Sequence, residues 1–481
     1  MRFVEPQNIA GHYDLVVVGS GCGSLFFVKK FLQRQPKSQA LILDWGQINT
    51  HAWQIENRRN APLESEDVIR NNSGKPWLFT IGLGGGTNCW WAQSPRLHPS
   101  DFKLKTNYGI GMDWPMSYDD LIPYYKEAEK TIIVAGPDDL DAEWPKTGKY
   151  QQLPHNMSSA DKLLKAAMPD KHFVVPCARL RVPSGARAAC CATATCNLCP
   201  GDSKFTAENS LQGLLSDPRV SFCLGAKVER LDTEAGQISR VQFTSNGREF
   251  TAKGDLFVLG ANAINSPFIL LKSGIGGHGV GRYLSEKMYV HAEVLLNGLK
   301  HFDGGTATTC FNTSLLDGEH RREHGGNVIY FENRMVYGLR PEFGRWLEVL
   351  PISFYIEDIP QESNGIIVGD GDMPVIEPFK FTDYAHRSLK ASMDKMPEIL
   401  KALPVEDIQF REIYPTLGQG TIRMGSTLED SAIDGNLVHH QFRNLVVVGS
   451  STFPTTGSVN ISLTVAALSL RAADRLTRSA A

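Results

Sequence analysis

A dense group of cysteines is the first feature of this chain that could carry chemistry. Four of its nine cysteines fall within ten residues, in the segment Cys190-Cys191-Ala-Thr-Ala-Thr-Cys196-Asn-Leu-Cys199-Pro. Thiolates at such short spacing in a loop can converge on one soft metal centre, and iron–sulfur clusters are held by such cysteines. A secreted disulfide framework would spread its cysteines more evenly through a smaller chain. The spacing predicts a metal or redox centre, with an iron–sulfur cluster favoured over zinc, a local disulfide or free thiols.

A glycine-rich turn near the N-terminus is the second such feature. Gly19-Ser-Gly21-Cys-Gly-Ser24 follows the apolar run at residues 14–18. The first glycine permits a tight turn, the second lets a pyrophosphate approach the backbone and helix N-terminus, and serine is small enough for close helix–strand packing. Asp44 ends the next apolar run, about twenty residues on, where a carboxylate can accept from ribose hydroxyls. The pattern predicts a dinucleotide site, although the turn alone does not distinguish NAD from FAD.

The elements that must position these residues follow from the hydrophobic pattern. Strands at 14–18 and 40–43 with a helix at 24–33 predict the opening βαβ unit of a doubly wound sheet. Residues 225–271 alternate short strands with turns, as an antiparallel meander does, and end in a strand at 256–259 followed by a helix. A buried strand at 444–448 and a long periodic helix at 460–476 indicate that the chain returns to the nucleotide fold at its end.

Three motifs elsewhere resemble one enzyme family. Residues 82–91 are Gly-Leu-Gly-Gly-Gly-Thr-Asn-Cys-Trp-Trp, residues 420–425 are Gly-Thr-Ile-Arg-Met-Gly, and Thr452-Phe-Pro-Thr-Thr-Gly457 precedes Asn460. In combination they resemble the glucose–methanol–choline (GMC) oxidoreductases. The chain is most similar to the iron–sulfur-containing branch of FAD-dependent glucose, gluconate and fructose dehydrogenase catalytic subunits. Residues 286–410 carry little of this likeness, so we expect substrate choice to be decided there.

The resemblance implies that the dinucleotide is FAD. Carried over motif by motif, it assigns cofactor contacts to Gly19, Gly21, Ser24, Asp44, Gly85, Gly86, Thr87, Asn88, Val228, Ala261, Gly449, Ser450 and Ile461. Cys89 occupies the position where some relatives carry a histidine joined covalently to flavin. A buried, unmodified thiol is the interpretation we prefer for it.

Members of the same branch have a closely similar cysteine segment, and they bind a three-iron cluster with it. The gap between Cys196 and Cys199 is one residue shorter in this chain. The resemblance implies Cys190, Cys196 and Cys199 as ligands, with Cys191 as a substitute or neighbour. It favours a 3Fe–4S cluster over a 4Fe–4S cluster.

The catalytic pair of the family is only half present. In the resemblance, Asn460 takes the place of the residue that hydrogen-bonds the alkoxide. Leu417 or Thr416 falls where the family has the histidine that accepts the alcohol proton, and leucine cannot accept one. Candidate replacements are Tyr414, His439, His440 and His291, of which Tyr414 and His440 complete the predicted catalytic set. Otherwise the substrate loses hydride with little help from a base, or the protein does not oxidise alcohols.

The predicted fold class is α/β (α+β), with two parts. One is a discontinuous, Rossmann-like FAD-binding domain that includes the cysteine segment; the other is a smaller antiparallel-sheet substrate domain, as in GMC and p-hydroxybenzoate-hydroxylase-like proteins. The FAD-binding domain is expected at residues 1–100, 171–285 and 415–481, and the substrate domain at 101–170 and 286–414.

The predicted function is an FAD-dependent dehydrogenase that oxidises the CH–OH group of a sugar, polyol or related alcohol. Electrons would pass through the cluster to a partner subunit, a cytochrome c or a quinone, and a small chaperone-like subunit is a further expected partner. An oxygen-using oxidase is a weaker interpretation. The alternative of another class is an electron-transfer or assembly flavoprotein without alcohol oxidation, because of Leu417.

Composition excludes other classes of protein. The net charge of −3 argues against nucleic acid as a partner, and no apolar run approaches the length that spans a bilayer. The N-terminus carries no evident signal peptide. We therefore predict a cytoplasmic protein, or a periplasmic one if a partner carries the export signal.

Overall fold

The computed structural model describes residues 1–335, 340, 342–414 and 416–478 of the 481-residue chain. Residues 336–339, 341, 415 and 479–481 fall within the predicted domain ranges but lie outside the described residues. The strands are β1 Arg2–Phe3, β2 Tyr13–Val18, β3 Ala40–Asp44, β4 Arg70–Asn71, β5 His172–Val174, β6 Val220–Leu224, β7 Lys227–Glu234, β8 Gln237–Ser245, β9 Arg248–Leu259, β10 Met288–Leu296, β11 Thr308–Leu315, β12 Asn327–Glu332, β13 Val349–Ile356, β14 Ile366–Val368, β15 Pro374–Ile376, β16 Val405–Tyr414 and β17 Leu445–Val447. The α-helices are α1 Cys22–Arg34, α2 His51–Asn57, α3 Leu104–Tyr108, α4 Tyr118–Ile132, α5 Ser159–Ala167, α6 Ala207–Ser210, α7 Gln212–Leu215, α8 Asn262–Lys272, α9 Asp383–Ile399 and α10 Ser462–Arg478.

The first sheet holds the glycine turn. Strands β1, β6, β3, β2 and β9 lie side by side in parallel, and β17 pairs in parallel with β9. Leu15, Val16 and Val17 are fully buried, which suits a parallel strand covered on both faces. Helices α1, α4 and α10 pack together, so the last helix closes over the first βαβ unit. The predicted α/β fold class with a Rossmann-like unit is confirmed.

One strand serves two purposes in this sheet. The first half of β9 pairs with β8 in the antiparallel meander, and its second half pairs with β2 in the parallel part. The predicted strand at 256–259 is therefore the end of the last meander strand and not a separate element. The meander remains attached to the nucleotide fold through this continuous backbone.

The second sheet is antiparallel, in the order β16-β10-β13-β12-β11-β5. On β10, Met288, Val290 and Ala292 enter an apolar cluster that also contains α9 residues, while Tyr289 and His291 occupy the alternate positions. Because side chains alternate across a strand, the sheet has one apolar and one polar face. Strand β5 pairs with β11 although it falls in a range expected for the FAD-binding domain, and the domain boundaries stay a prediction.

A small third sheet, β14-β15-β4, lies against α8. Among the described residues, no helix combines the length and apolar character that crossing a bilayer requires.

Candidate active site

The glycine turn has the geometry that a dinucleotide site needs. Gly19 has φ +85°, and a Cβ there would lie 2.6 Å from the Gly260 carbonyl oxygen, so only glycine fits. A Cβ on Gly21 would instead enter open space. The Asp44 carboxylate accepts from the Ser20 amide at 2.9 Å and from the Ser20 hydroxyl at 2.6 Å. Burial raises the pKa of Asp44, and these hydrogen bonds oppose the rise.

The loop at residues 82–88 lies directly on this turn. Gly84 donates its amide to the Ser20 carbonyl at 3.1 Å, and a Cβ on Gly85 would lie 3.1 Å from the Gly21 Cα. Side-chain hydrogen bonds of Thr87 and Asn88 to carbonyls within the loop hold its shape. A Cβ on Gly86 would meet no atom within 4 Å.

The returning C-terminal segment borders the same space. Gly449 has φ +105° with nothing within 4 Å of its Cβ position, and a Cβ on Gly23 would lie 3.0 Å from the Gly449 amide nitrogen. The Ser450 hydroxyl donates to the Gly418 carbonyl at 2.7 Å. Gly21, Gly86 and Gly449 therefore line space that side chains would fill, and this cradle fits an extended dinucleotide.

The remaining predicted cofactor residues flank this cradle. Val228 lies in β7, which begins just after Ala226 donates its amide to the Asp44 carbonyl at 2.8 Å. Ala261 is the N-cap of α8, and Ile461 is buried just before α10. The Ser24 hydroxyl is buried with no hydrogen-bond partner among the described residues. The individual contacts of these residues with FAD stay predictions.

A row of aromatic side chains crosses the polar face of the second sheet. The register pairs Tyr289 with Tyr355 on one side and with Tyr414 on the other. The ring centroids of Tyr289 lie 4.6 Å and 6.2 Å from those of Tyr355 and Tyr414. The predicted catalytic residue Tyr414 thus belongs to a cluster built by three strands.

Asn460 lies at the edge of this row. Its Nδ2 donates to Gln93 Oε1 at 3.4 Å, and its side chain adjoins the Tyr355 hydroxyl. Burial and Glu332 raise the pKa of Tyr355, so this phenol keeps its proton. Asn460 Oδ1 is buried without a well-oriented partner in the described part of the chain. The predicted alkoxide-binding residue therefore has an unused polar atom between the loop at 82–91 and the second sheet.

A charged pair and a histidine adjoin the tyrosines. Glu332 and Arg334 form an ion pair, and the Arg334 guanidinium lies 4.7 Å from the Trp91 ring centroid. His291 Nδ1 is 2.9 Å from the Ser353 hydroxyl, while Arg334 donates to His291 Nε2 at 3.4 Å. Burial lowers the pKa of His291 to about 4, so the imidazole is neutral at neutral pH.

The other candidate bases lie elsewhere or are absent. His440 Nε2 is 3.0 Å from the Ser431 hydroxyl, and His439 Nε2 is 3.1 Å from the Gly276 carbonyl, so both rings have partners outside the tyrosine row. Leu417 is 42% exposed and apolar. A catalytic role for His440 stays a prediction, and no contact joins its side chain to Asn460 among the described residues.

Several polar residues of this region were not predicted from the sequence. Glu332 ends the buried strand β12 and Arg334 lies two residues beyond it, and only the folded chain brings them to Ser353 and His291. Lys287 is 4% exposed. It lies beside the segment of Leu417, since its carbonyl accepts from the Thr416 hydroxyl at 3.4 Å. Burial lowers the pKa of Lys287 to about 7, against the nearby carboxylates of Asp101, Glu286 and Glu357. The available signal was the alternation of polar residues from Lys287 along β10.

The cysteine segment has features of a thiolate site. Cys196 and Cys199 are buried, Cys190 is half-buried and Cys191 is exposed. The Ser203 amide donates to Cys199 Sγ at 3.3 Å. Burial opposes the charge of Arg179, but Cys177, Cys196, Cys190 and Cys199 raise the pKa of this guanidinium. Positive charge beside the sulfurs favours their deprotonated form, but at Cys196 burial outweighs this effect and raises the pKa of the thiol to about 11.

The spacing of the thiols bears on whether the cysteine segment could hold zinc or an iron–sulfur cluster. Zinc binds thiolates at about 2.3 Å, which would bring four sulfurs within roughly 4 Å of one another. Among the described residues, the one group with three ligand atoms within 4.8 Å of each other is Asp161, His172 and Cys310, not the cysteine segment. An iron–sulfur cluster keeps its cysteines farther apart, because the inorganic core lies between them. The soft thiol donors of Cys190, Cys196 and Cys199 suit an iron–sulfur cluster, and their assignment as its ligands stays a prediction.

Comparison with known proteins identifies a matching family. A model described as GMC oxidoreductase matches residues 15–291, and a second one with that description matches residues 374–469. The fructose dehydrogenase large subunit of Gluconobacter japonicus is 27% identical over 96% of this chain and 97% of the relative. The 6'''-hydroxyparomomycin C oxidase of Streptomyces lividus is 26% identical over 97% and 92%. A formate oxidase structure from Aspergillus oryzae superposes with a TM-score of 0.69 at 16% identity, covering 98% of this chain and 99% of that one.

Proposed function

The chain belongs to the GMC oxidoreductase family, and from this premise we propose that it is an FAD-dependent dehydrogenase acting on the CH–OH group of a sugar, polyol or related alcohol. The observation that carries the proposal is the meeting of Asn460 with the polar face of the second sheet, next to the open cradle. FAD, when bound in this cradle, supplies the acceptor for the hydride. The chain itself must orient the alcohol, exclude water and move one proton.

Asn460 orients the reacting hydroxyl. Its half-buried amide makes one long hydrogen bond, from Nδ2 to Gln93, so Nδ2 can also donate to the substrate oxygen and stabilise the developing alkoxide. Gln93 holds the amide from the other side. A preoriented donor of this kind lowers the barrier because it need not reorganise during the reaction.

Tyr414, reacting as its phenolate, is the group that we favour for accepting the alcohol proton at this site. Its ring centroid lies 4.8 Å from that of the neutral His291 on the polar face of the sheet. In the sequence it precedes Leu417 by three residues. His440 lacks such a position, because its ring is held at Ser431. The proposal replaces the absent histidine with a phenol supplied by the end of β16.

The walls of the site suit a neutral polyhydroxylated substrate. The Glu332–Arg334 pair offers planar donors and acceptors without net charge, and the Trp91 ring offers an apolar surface. Sugars and polyols present alternating hydroxyls and C–H faces that match both. The fructose dehydrogenase and hydroxyparomomycin oxidase relatives support this substrate class by their names.

We propose that electrons leave through an iron–sulfur centre rather than to oxygen. An iron–sulfur cluster, when bound by Cys190, Cys196 and Cys199, supplies a carrier of single electrons. The buried sulfurs, the amide donor to Cys199 and the nearby Arg179 support this assignment. A cytochrome c or a small partner subunit is the proposed next acceptor, and the relative from Gluconobacter is itself called a large subunit.

An electron-transfer or assembly flavoprotein remains the second candidate, and Leu417 favours it. Anaerobic purification with a visible spectrum and iron and sulfide assays, followed by addition of sugars and alcohols with an artificial acceptor, separates the two. Bleaching of the flavin by a sugar or polyol, with turnover of the acceptor, supports the dehydrogenase. A flavin that stays oxidised with every substrate, yet passes electrons to the acceptor once dithionite has reduced it, supports the second candidate.

A further inference from the structure

Lys204 joins the two segments on which the proposed electron route depends. Its Nζ donates to the carbonyls of Cys196 and Asn197 at 2.7 Å and 2.9 Å in the cysteine segment. The same Nζ donates to the carbonyls of Asn88 and Trp90 at 2.6 Å and 3.3 Å in the loop of residues 82–91. Lys204 is only 2% exposed. One buried ammonium group therefore lies between the predicted flavin loop and the predicted cluster loop.

Two neighbours strengthen the same junction. With its amide turned so that nitrogen faces the carbonyls, Asn60 donates to Asn88 at 3.1 Å and to Asn197 at 3.0 Å. Trp90 Nε1 donates to the carbonyl of Phe205, the residue after Lys204, at 2.7 Å. Lys204 and Asn60 therefore join the two loops, and Lys204 is the one of the two that carries a charge.

The charge of Lys204 has no carboxylate within ion-pair distance among the described residues. No carboxylate oxygen of the described residues lies within 4.0 Å of its Nζ, and carbonyl oxygens supply dipoles but no net negative charge. Burying an ammonium group without a counter-charge is costly. The groups that face it with potential negative charge are the thiols of Cys89, Cys196 and Cys199, together with Asp202. Thiolates that hold a cluster would supply the missing negative charge.

We propose that Lys204 is a positioning residue that fixes the cysteine segment against the flavin loop and places a positive charge beside the cluster, so that electrons pass directly from FAD to the cluster. This inference rests on the proposed function. A cation next to the cluster stabilises an added electron by Coulomb attraction, which raises the reduction potential of the cluster. The hydrogen bonds keep the two loops in contact. A wider separation of the loops would lengthen the distance that the electron crosses between FAD and the cluster.

The test uses the complete protein with FAD and cluster, in wild type and in Lys204→Met. Methionine has a similar length but neither charge nor N–H donors. We expect reduction of the cluster by substrate to slow at least tenfold, with bleaching of FAD by substrate unchanged within about twofold. We also expect the equilibrium between FAD and cluster to shift roughly tenfold against the cluster, which corresponds to about 59 mV for a one-electron couple. Stopped-flow absorbance and redox titration followed by electron paramagnetic resonance measure these quantities.

One further variant separates the effect of the charge from that of positioning, and a second one serves as the control. Lys204→Gln keeps an amide that can donate to the carbonyls but removes the charge, and it carries the test if Lys204→Met does not fold. It should lower the potential, with a smaller effect on the rate than methionine. Lys395→Met, at an exposed lysine of α9 paired with Glu398, is the matched control and should change neither quantity.

The outcomes distinguish this inference from the proposed function. Wild-type protein without iron and sulfide overturns the proposed electron route and the role of Lys204 with it. A wild type that holds a cluster, beside Lys204 variants whose potential and transfer rate equal those of wild type, overturns the inference alone. Loss of the cluster from Lys204→Met together with intact FAD chemistry supports the role of Lys204 in building the junction.

Discussion

The cofactor cradle and the polar face of the second sheet are both candidate parts of one site, but they are built in opposite ways. The cradle consists of backbone and glycine, with Gly19, Gly21 and Gly449 defining the space and one carboxylate, Asp44, at its end. The polar face consists of large side chains from several strands, among them Tyr289, which the register sets between two other tyrosines. A cradle lined by glycines can be recognised from a short sequence motif. A face on which large side chains converge depends on how strands far apart in the sequence pair.

The sharpest way to break the cradle is to fill it. Gly21→Val places a branched side chain in open space that the protein does not use, so we expect loss of bound FAD with the folded structure retained. The ratio of flavin to protein absorbance, with circular dichroism for the fold, measures both. Gly213→Ala, in α7 where a Cβ also meets no atom, is the control and should keep full FAD content. Full flavin content in Gly21→Val would mean that the cradle is not where FAD binds.

On the polar face the largest effect is expected from Asn460→Ala. Removing one preoriented donor should lower kcat on the order of 10²–10³-fold, while FAD content stays unchanged. Steady-state kinetics with an artificial acceptor checks the rate. Asn72→Ala changes an exposed asparagine outside this region and should behave as wild type. Turnover of Asn460→Ala close to that of wild type would remove Asn460 from the catalytic set.

A third comparison is between two candidate bases. Tyr414→Phe should lower kcat on the order of 10²-fold, because the ring stays beside His291 but loses its proton-accepting oxygen. His440→Gln should change kcat less than about twofold if a ring held at Ser431 takes no part in catalysis. The reverse order of effects would restore His440 as the base and leave the tyrosine row a structural feature.

The smallest expected effect concerns pH and stability. The folded pKa of His291 is about 4, below its unfolded value of about 6.5, so between these values the unfolded chain binds more protons. Stability from this group is fully present above about pH 6.5 and is lost as pH falls toward 4. Urea unfolding at pH 7.5 and pH 5 should show His291→Gln losing ~2 kcal/mol less on acidification than wild type does. Equal losses in both proteins would show that His291 is not held neutral by burial.

Much of the nucleotide half was predictable. The strand at 14–18, the helix after the turn and the strand ending at Asp44 appear within a few residues of their predicted bounds. The family and the fold class are confirmed, while the assigned site residues stay predictions. Local rules succeed here because a tight turn, a helix start and a buried parallel strand each impose their residue types over a few positions.

The second sheet was less predictable for a physical reason. Its strands all show alternating or continuous apolar patterns, and no pattern states which strand pairs with which. Ser353 meets His291 only because β13 runs antiparallel to β10 in one particular register. A shift of one residue would turn every one of these side chains to the opposite face.

Short patterns of residue types are enough to identify the glycine turn, the acidic strand end, the family motifs and the clustered cysteines, because each depends on residue types at short spacing. The folded chain is needed to see that Tyr414 and not His440 joins the polar face, and that Lys204 lies between the flavin loop and the cysteine segment. These contacts join residues far apart in the chain. They follow from strand register and from burial of one ammonium group between two loops, and neither leaves a local signature in the sequence.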